Sequence, residues 1–462
     1  MKKFFCFFFV LILMLGACSI PESESEPVLA NYTGTLEGYE YFHTGERDRA
    51  WEEDVLYLAQ TCLDNHPHVT GEPVWTYTFW EPFGSKTSGF SDEIYREETR
   101  TAFIELVNQV IAGIPEYTDV QMAYEMLRIV ASLGDIHSSV TVGTKDDEIF
   151  PVRYEYFTED GVVSVYAVQV AEEYEDIYLG KLVSVNGIPV EEIIKELIPY
   201  IPSENEYYPI RAIVSGSLSA KNALHAVGIV DLEDAGADFA FETETGTVVR
   251  TITAVPKSEF QQLEMIRHPM TTDDAVMRHQ NRNYWFEVLG NNALYMRISS
   301  LNEESDYTFL KYLLDAGHVL QEAETPMRLI MDFRFNHGGP EHFNQWNQFI
   351  DSIQKSNIDG IYLLINEECV SSGVAAPYQL AKRLENTQLV GSPTAQFPNS
   401  PAAQIEYKLP NHGNSFYISG NYFLFAPDEE DTALRPDVTV YQTWNDYQNN
   451  IDTVLQYALD LK

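Results

Sequence analysis

The sequence predicts a multidomain protein of mixed α+β and α/β class, and three observations carry that expectation. Between residues 328 and 394, apolar runs alternate with helical repeats, as a parallel sheet covered by helices requires. Between residues 151 and 256, short alternating strands surround a hairpin signal at Asp160-Gly161. Ahead of both lie amphipathic repeats that read as helices. The expected divisions are 1–17, 18–35, 36–148, 149–256 and 257–462, and 462 residues give ample core for several domains.

Lys2-Lys3 followed by the apolar run 4–15 reads as a secretory signal, too short for a stable span. Leu15-Gly16-Ala17-Cys18 resembles a bacterial lipobox, in which Cys18 is lipidated and becomes the mature N-terminus. The expectation is an extracytoplasmic protein held at the cell membrane through lipid on Cys18, with 18–35 as an acidic, solvated tether. Lys plus Arg number 29 and Asp plus Glu 70, a net charge of −41. Such a chain repels nucleic acid and anionic lipid, so neither is expected as a main partner. Cys6 leaves with the signal. Cys62 and Cys369 are too few and too far apart for a disulfide framework or metal spacing, and are expected buried and reduced.

In chain order, Trp51, Val55, Leu56 and Leu63 predict a helix over 50–68 that stops at His66-Pro67-His68. The Pro between these histidines suits a helix-ending turn better than a metal pair. A loop rich in Gly, Pro and aromatics is expected through Phe90, and a helix from Ser91-Asp92 with Phe103, Leu106, Val107 and Val110 inward. A third helix starts at Asp119 and stops at Gly134. Asp135-Ile136-His137-Ser138 follows, with His137 heading a short strand.

The stretch 179–190, strand, Asn186-Gly187 turn and strand start, precedes an acidic first helical turn at Glu191-Glu192. The size and rhythm of 149–256 are those of a PDZ-like module, which adds a peptide as an extra strand. Residues 257–284 read as a polar, irregular linker or insertion. Strand 293–298 and helix 307–320 then lead into the α/β stretch. Its first strand, Leu329-Ile330-Met331, runs into Asp332-Phe333-Arg334-Phe335-Asn336-His337-Gly338-Gly339. Its second, 361–365, runs into Cys369-Val370-Ser371-Ser372-Gly373 and a helix.

Sites in such sheets form where strands end and helices begin. Glycines let backbone N–H groups approach a ligand, and a helix N-terminus favours negative charge. A serine hydroxyl beside donors for an oxyanion is the minimum equipment for acyl transfer. Read alone, Ser-Ser-Gly before a helix is most often a cap. His337 and His342 flank the glycine turn without a metal-ligand motif and read as structural.

Together these residues resemble the tail-specific, or C-terminal processing, serine peptidase family. The matching pieces are His66-Pro67, Asp135-Ile136-His137-Ser138, the PDZ-like stretch, the Asp-x-Arg-x-Asn-x-Gly-Gly run from Asp332, Ser371-Ser372-Gly373, Leu409-Pro410-Asn411 and Arg435-Pro436-Asp437-Val438. The resemblance implies a ClpP/crotonase-like peptidase core over 257–462. It makes Ser371 the nucleophile, and places the oxyanion hole at the N–H of Ser372 and a backbone N–H of the Gly338-Gly339 turn. The PDZ-like domain would present a substrate C-terminus.

Many family members carry a lysine base about 25 residues after the serine, where this chain has Gln396 and Phe397. Lys382 is ~16 Å away along a helix. The tricorn-like branch uses Ser–His with an acidic partner, and His137 aligns with its histidine. An imidazole serves as a base near neutral pH without a large shift. Glu429, in the acidic run near the C-terminus, is the candidate acid. Asp135 ranks second, because near neighbours in a strand point apart. The expected activity is cleavage of protein or peptide substrates with no cofactor and no metal. The alternative is a catalytically degenerate peptide-binding lipoprotein on the same scaffold. No Gly-x-Ser-x-Gly elbow supports an esterase of α/β-hydrolase type. The sequence sets no oligomeric state.

Overall fold

Parallel strands covered on both faces must be apolar at nearly every position, and Met327–Asp332 is buried throughout. In the computed structural model it lies at the centre of a six-stranded sheet ordered Tyr284–Leu289, Ala293–Ile298, Met327–Asp332, Ile358–Ile365, Thr387–Gly391, Val438–Thr439. All neighbours pair in parallel except the antiparallel edge strand Tyr284–Leu289. Side chains alternate between faces. Leu329 and Met331 join Leu313, Trp346, Val374 and Leu380 from the helices Phe309–Glu322, Phe343–Gln354 and Ser372–Arg383. Ile330, Leu364 and Val390 instead meet Val454, Leu455 and Ala458 of the closing helix Thr453–Asp460.

The structure describes residues 30–462 except 81–84, 92–93, 144–146, 160, 270–277, 291, 428 and 462. The signal segment 1–17, Cys6, Cys18, most of the tether and Asp160 of the hairpin signal lie outside the described residues. Among the described residues, no helix is long and apolar enough to cross a membrane. Cys62 and Cys369 are buried and free.

A second sheet forms the middle of the chain. Val152–Glu159 and Val162–Ala171 form the expected hairpin around Gly161, and Lys181–Val185, Gly236–Thr243 and Gly246–Thr253 extend the sheet. Its core includes Phe150, Leu182, Ile193, Ile213, Leu224 and Phe239. Three helices, Val190–Leu197, Tyr207–Ser215 and Lys221–Ala226, lie in this stretch, where one was expected. The polar stretch after residue 256 is more ordered than its composition suggests. Met265–Arg267 pairs with Val162–Ala171, so the sheet continues past the expected boundary.

The N-terminal part holds three helices, Glu46–Asn65, Glu97–Gly113 and Asp119–Ala131. Thr118 and Gln121 close a reciprocal capping box at the third. The expected loop before residue 90 is instead a hairpin of Val74–Trp80 with Ser85–Ser91, and the second helix begins at Glu97. Alternation of β-branched Val74, Thr76 and Thr78 with aromatic Trp75, Tyr77 and Phe79 outweighs the glycines and prolines around it.

The C-terminal hairpin Ser400–Lys408 and Ser415–Leu424 leaves the parallel sheet and crosses to this N-terminal part. Ser415–Leu424 pairs in parallel with Val74–Trp80 and antiparallel with Ser139–Val140. Its turn seats on the first helix. Asp54 accepts the N–H groups of Asn411 at 2.9 Å and His412 at 3.0 Å, and the His412 ring stacks on Trp51 at 3.5 Å. The first and last quarters of the chain therefore share one sheet.

Behind the glycine turn, Arg334 is pinned between two buried carboxylates. Its Nη2 donates to Asp332 Oδ2 and Asp452 Oδ2, each at 2.6 Å, and Tyr295 Oη donates to Asp332 Oδ2 at 2.8 Å. Removing one member of such a network leaves uncompensated buried charge. Arg334→Ala is expected to cost about 3–5 kcal/mol in urea unfolding of the C-terminal core. A loss below about 1 kcal/mol contradicts this reading of the network.

Candidate active site

Where Met327–Asp332 and Ile358–Ile365 end, their two loops are bonded to each other. Asn366 Oδ1 accepts from Phe335 N at 2.9 Å, Cys369 Sγ donates to Phe333 O at 3.1 Å, and Val370 N donates to Asn336 O at 2.9 Å. Packing is tight enough to require glycine. A Cβ on Gly338 (φ +92°) would lie 2.7 Å from Ser371 Cβ, and one on Gly373 would lie 2.2 Å from Asn336 O. Ser371 occupies φ 57°, ψ −132°, a conformation costly for any residue with a side chain, immediately before the helix Ser372–Arg383. Strain of this kind persists only where the surroundings over-determine it.

The Ser372 N–H heads that helix and makes no hydrogen bond with a described residue, and neither does the Gly339 N–H. Gly338 N–H is taken by Asn336 Oδ1 at 2.8 Å. Of the expected oxyanion donors, Ser372 and Gly339 are thus free and Gly338 is not; Gly338 serves instead by letting the turn close on Ser371. Gln396, 1% exposed, accepts the Ser371 N–H at 2.8 Å through Oε1 and donates through Nε2 to Ser400 Oγ at 2.7 Å. Its amide fixes the serine backbone but cannot take up a proton.

His137 stands in a turn stabilised by Asp135. Asp135 is fully buried and both its oxygens are occupied. Oδ1 accepts His137 N at 2.9 Å; Oδ2 accepts His66 Nε2 at 3.2 Å, Ser138 Oγ at 2.5 Å and Ser419 Oγ at 2.7 Å. His137 Nδ1 lies 3.5 Å from Asp135 Oδ1. Burial alone would raise the Asp135 carboxyl, but the close approach of the His137 ring and the His66 hydrogen bond hold it well below the usual range. Both ring nitrogens of His137 are buried without a hydrogen-bond partner, as is Glu204 Oε1.

The expected acid, Glu429, is elsewhere. Its Oε1 accepts from Lys382 Nζ at 2.7 Å and Tyr378 Oη at 2.9 Å on the surface, and the Lys382 bond lowers its carboxyl. The carboxylate beside His137 is Asp135. The strand argument against it fails because the chain turns at 136–137 and becomes strand only at Ser139. Lys382 is held away by the same pair with Glu429. His66 and His68 are structural, bonded to Asp135 and to Leu133 O. His342 bonds to Leu301 O at 2.7 Å, and exposed His337 lies 3.8 Å from Glu368.

The two sides of the site are joined by a continuous set of contacts. Glu204, beside His137, is followed by Asn205, whose Nδ2 donates to Thr394 O at 2.9 Å and Thr432 O at 2.8 Å. Thr394 Oγ1 donates to Gln396 O at 2.6 Å, and Gln396 holds Ser371. In the structure, His137 and the Ser371 hydroxyl make no hydrogen bond to each other. Asp135, His137 and Glu204 bring three possible ligand atoms within 4.8 Å of one another, but the saturated oxygens of Asp135 suit it poorly to a metal. A cavity of about 440 Å³ lies nearby, between the middle sheet and the parallel core, lined by Glu155, Phe157, Arg211, Phe335, Glu368 and Tyr441 among others.

No family model and no curated protein matches the sequence. Solved structures do. A serine-to-alanine mutant of CPAF is 12% identical, with 90% of this chain and 99% of that chain covered and a TM-score of 0.59. Mature CPAF complexed with lactacystin is 12% identical, with 88% and 97% covered and a TM-score of 0.56. The photosystem II D1 C-terminal processing protease is 11% identical, with 90% and 97% covered and a TM-score of 0.37. The chain has the mixed α/β multidomain fold of the CPAF structures.

Burial lowers the His68 imidazole to about 3. The folded chain keeps it neutral where the unfolded chain, titrating near 6.5, takes up a proton. Its contribution is therefore complete above pH ~6.5 and declines by about 1.4 kcal/mol per unit as the pH falls toward 3. Relative to His68→Gln, the unsubstituted chain is expected to lose stability between pH 7 and 5 in denaturant titrations. Parallel curves for the two proteins would contradict the assignment.

Proposed function

We propose that this chain is a serine peptidase that cleaves peptide bonds in proteins or peptides, with Ser371 as nucleophile, His137 as general base and Asp135 orienting the imidazole. The observation that supports it best is the strained Ser371 packed against Gly338 of a turn that only glycine fits, with the amides of Ser372 and Gly339 on the same two loops left unpaired. The fold shared with the CPAF structures agrees with this reading.

In the reaction, His137 Nε2 takes the Ser371 Oγ proton as that oxygen attacks the substrate carbonyl. The amides of Ser372 and Gly339 hold the negative oxygen, and the helix N-terminus adds favourable potential. The proton passes to the leaving amine, and water then releases the acyl group by the same steps. His137 and Ser371 sit on separate elements and make no hydrogen bond to each other without substrate, so the Nε2–Oγ bond forms as substrate binds. The 149–256 module, PDZ-like in sequence rhythm, presents the substrate chain. The segment 1–17 and Cys18 support export and lipid attachment at the cell membrane. A catalytically degenerate peptide binder is not favoured, since binding alone needs neither the strained serine nor the two open amides.

A serine-directed fluorophosphonate is expected to label the protein and to leave Ser371→Ala unlabelled. His137→Ala should slow labelling ~10²–10⁴-fold. Equal labelling of the unsubstituted chain and Ser371→Ala, or none of either, overturns the proposal.

A further inference from the structure

We infer that Glu204 is a positioning residue for His137, reaching the imidazole from the middle of the chain so that two carboxylates of different character flank it. This rests on the reading of His137 as the base. The carboxylates of Asp135 and Glu204 and a ring nitrogen of His137 lie within 4.8 Å of one another. Glu204 Oε1 and both His137 ring nitrogens are buried and unpartnered. Buried polar atoms without partners are rare, and here three such atoms share one place.

The two acids are equipped for different tasks. Asp135 is saturated by donors and locked in place, so it fixes the ring but cannot respond to a change in its charge. Glu204 has an open oxygen. The groups facing it are Asp135, Arg96, the Ile136 N–H and Tyr422, with His66 and His68 behind Asp135. Burial first, and then the Asp135 charge, raise the Glu204 carboxyl well above its usual range. Neighbouring acids whose environments push their proton affinities apart divide roles between them.

When Ser371 Oγ forms its bond to the acyl carbon, its proton moves to His137 Nε2 and the ring becomes a cation. Above the pH at which its raised carboxyl ionises, Glu204 adds a second negative charge beside that cation, and the proton goes on to the leaving amine. Glu204 itself exchanges no proton with substrate. Asn205 ties its backbone to Thr394 and Thr432, so the acid is carried on the same frame that holds Ser371.

The test is the rate of fluorophosphonate labelling of the full chain between pH 5 and 9, for the unsubstituted protein, Glu204→Gln and Glu204→Asp. Glu204→Gln is expected to move the acidic limb about one unit lower and to reduce the plateau ~10-fold. Glu204→Asp, keeping the charge, should restore the limb. A Glu204→Gln limb that superimposes on the unsubstituted one overturns the inference while leaving the peptidase reading intact. So does a plateau loss with an unmoved limb that Glu204→Asp fails to restore. An unsubstituted protein that is not labelled at any pH overturns both.

Discussion

The position of the imidazole depends on one buried carboxylate. Asp135 gathers donors from His66 at the end of the first helix, from its own turn, and from Ser419 on the C-terminal hairpin. A fully buried charge is tolerated only when paired and hydrogen-bonded, so these bonds and the fold require one another. Because Ser419 belongs to the hairpin that starts at Ser400, and Ser400 bonds to Gln396, the constraint extends to the backbone of Ser371. Residues 137 and 371 are thereby linked through one hydrogen-bonded frame although they lie 234 residues apart in the sequence.

The Ser371 side obeys a different constraint, that of close approach. Two loops leave adjacent parallel strands and bond to each other through Asn336, Asn366 and Cys369. That leaves space only for hydrogen at Gly338 and Gly373, and it forces Ser371 to positive φ. The Asp332–Arg334–Asp452 network ties the start of the turn to the cap of the closing helix. At these strand ends the amides of Ser372 and Gly339 are left without a hydrogen-bond partner among the described residues, as the proposed oxyanion site requires.

The parallel core was legible because its apolar runs are long and its period is unambiguous, and the glycine turn and serine loop fell where strand ends were expected. The hairpin at 74–91 was not, since glycine and proline density masked the β-branched and aromatic alternation. Placement of 400–424 in a sheet with residues 74–80 and 139–140 could not be read locally, because its pairing is set over hundreds of residues. Which carboxylate lies beside His137 escaped the sequence for a related reason. A strand rule was applied to Asp135 where the chain makes a turn, and Glu429 turned out to serve Lys382 and Tyr378. Glu204 carried no signal among 70 acidic residues. Only its folded position, beside an unpartnered imidazole, distinguishes it.

The central claim is that His137 and Ser371 form one catalytic unit with the amides of Ser372 and Gly339. Its most direct measurement is a crystal structure of the protein with a phosphonate bonded to Ser371 Oγ. The expected result puts His137 Nε2 about 3 Å from Ser371 Oγ or the adduct oxygen next to it. It also puts both amide nitrogens ~2.7–3.1 Å from the phosphonyl oxygen. An adduct whose oxygen points away from those amides, with His137 more than one side chain's reach from it, would contradict the account.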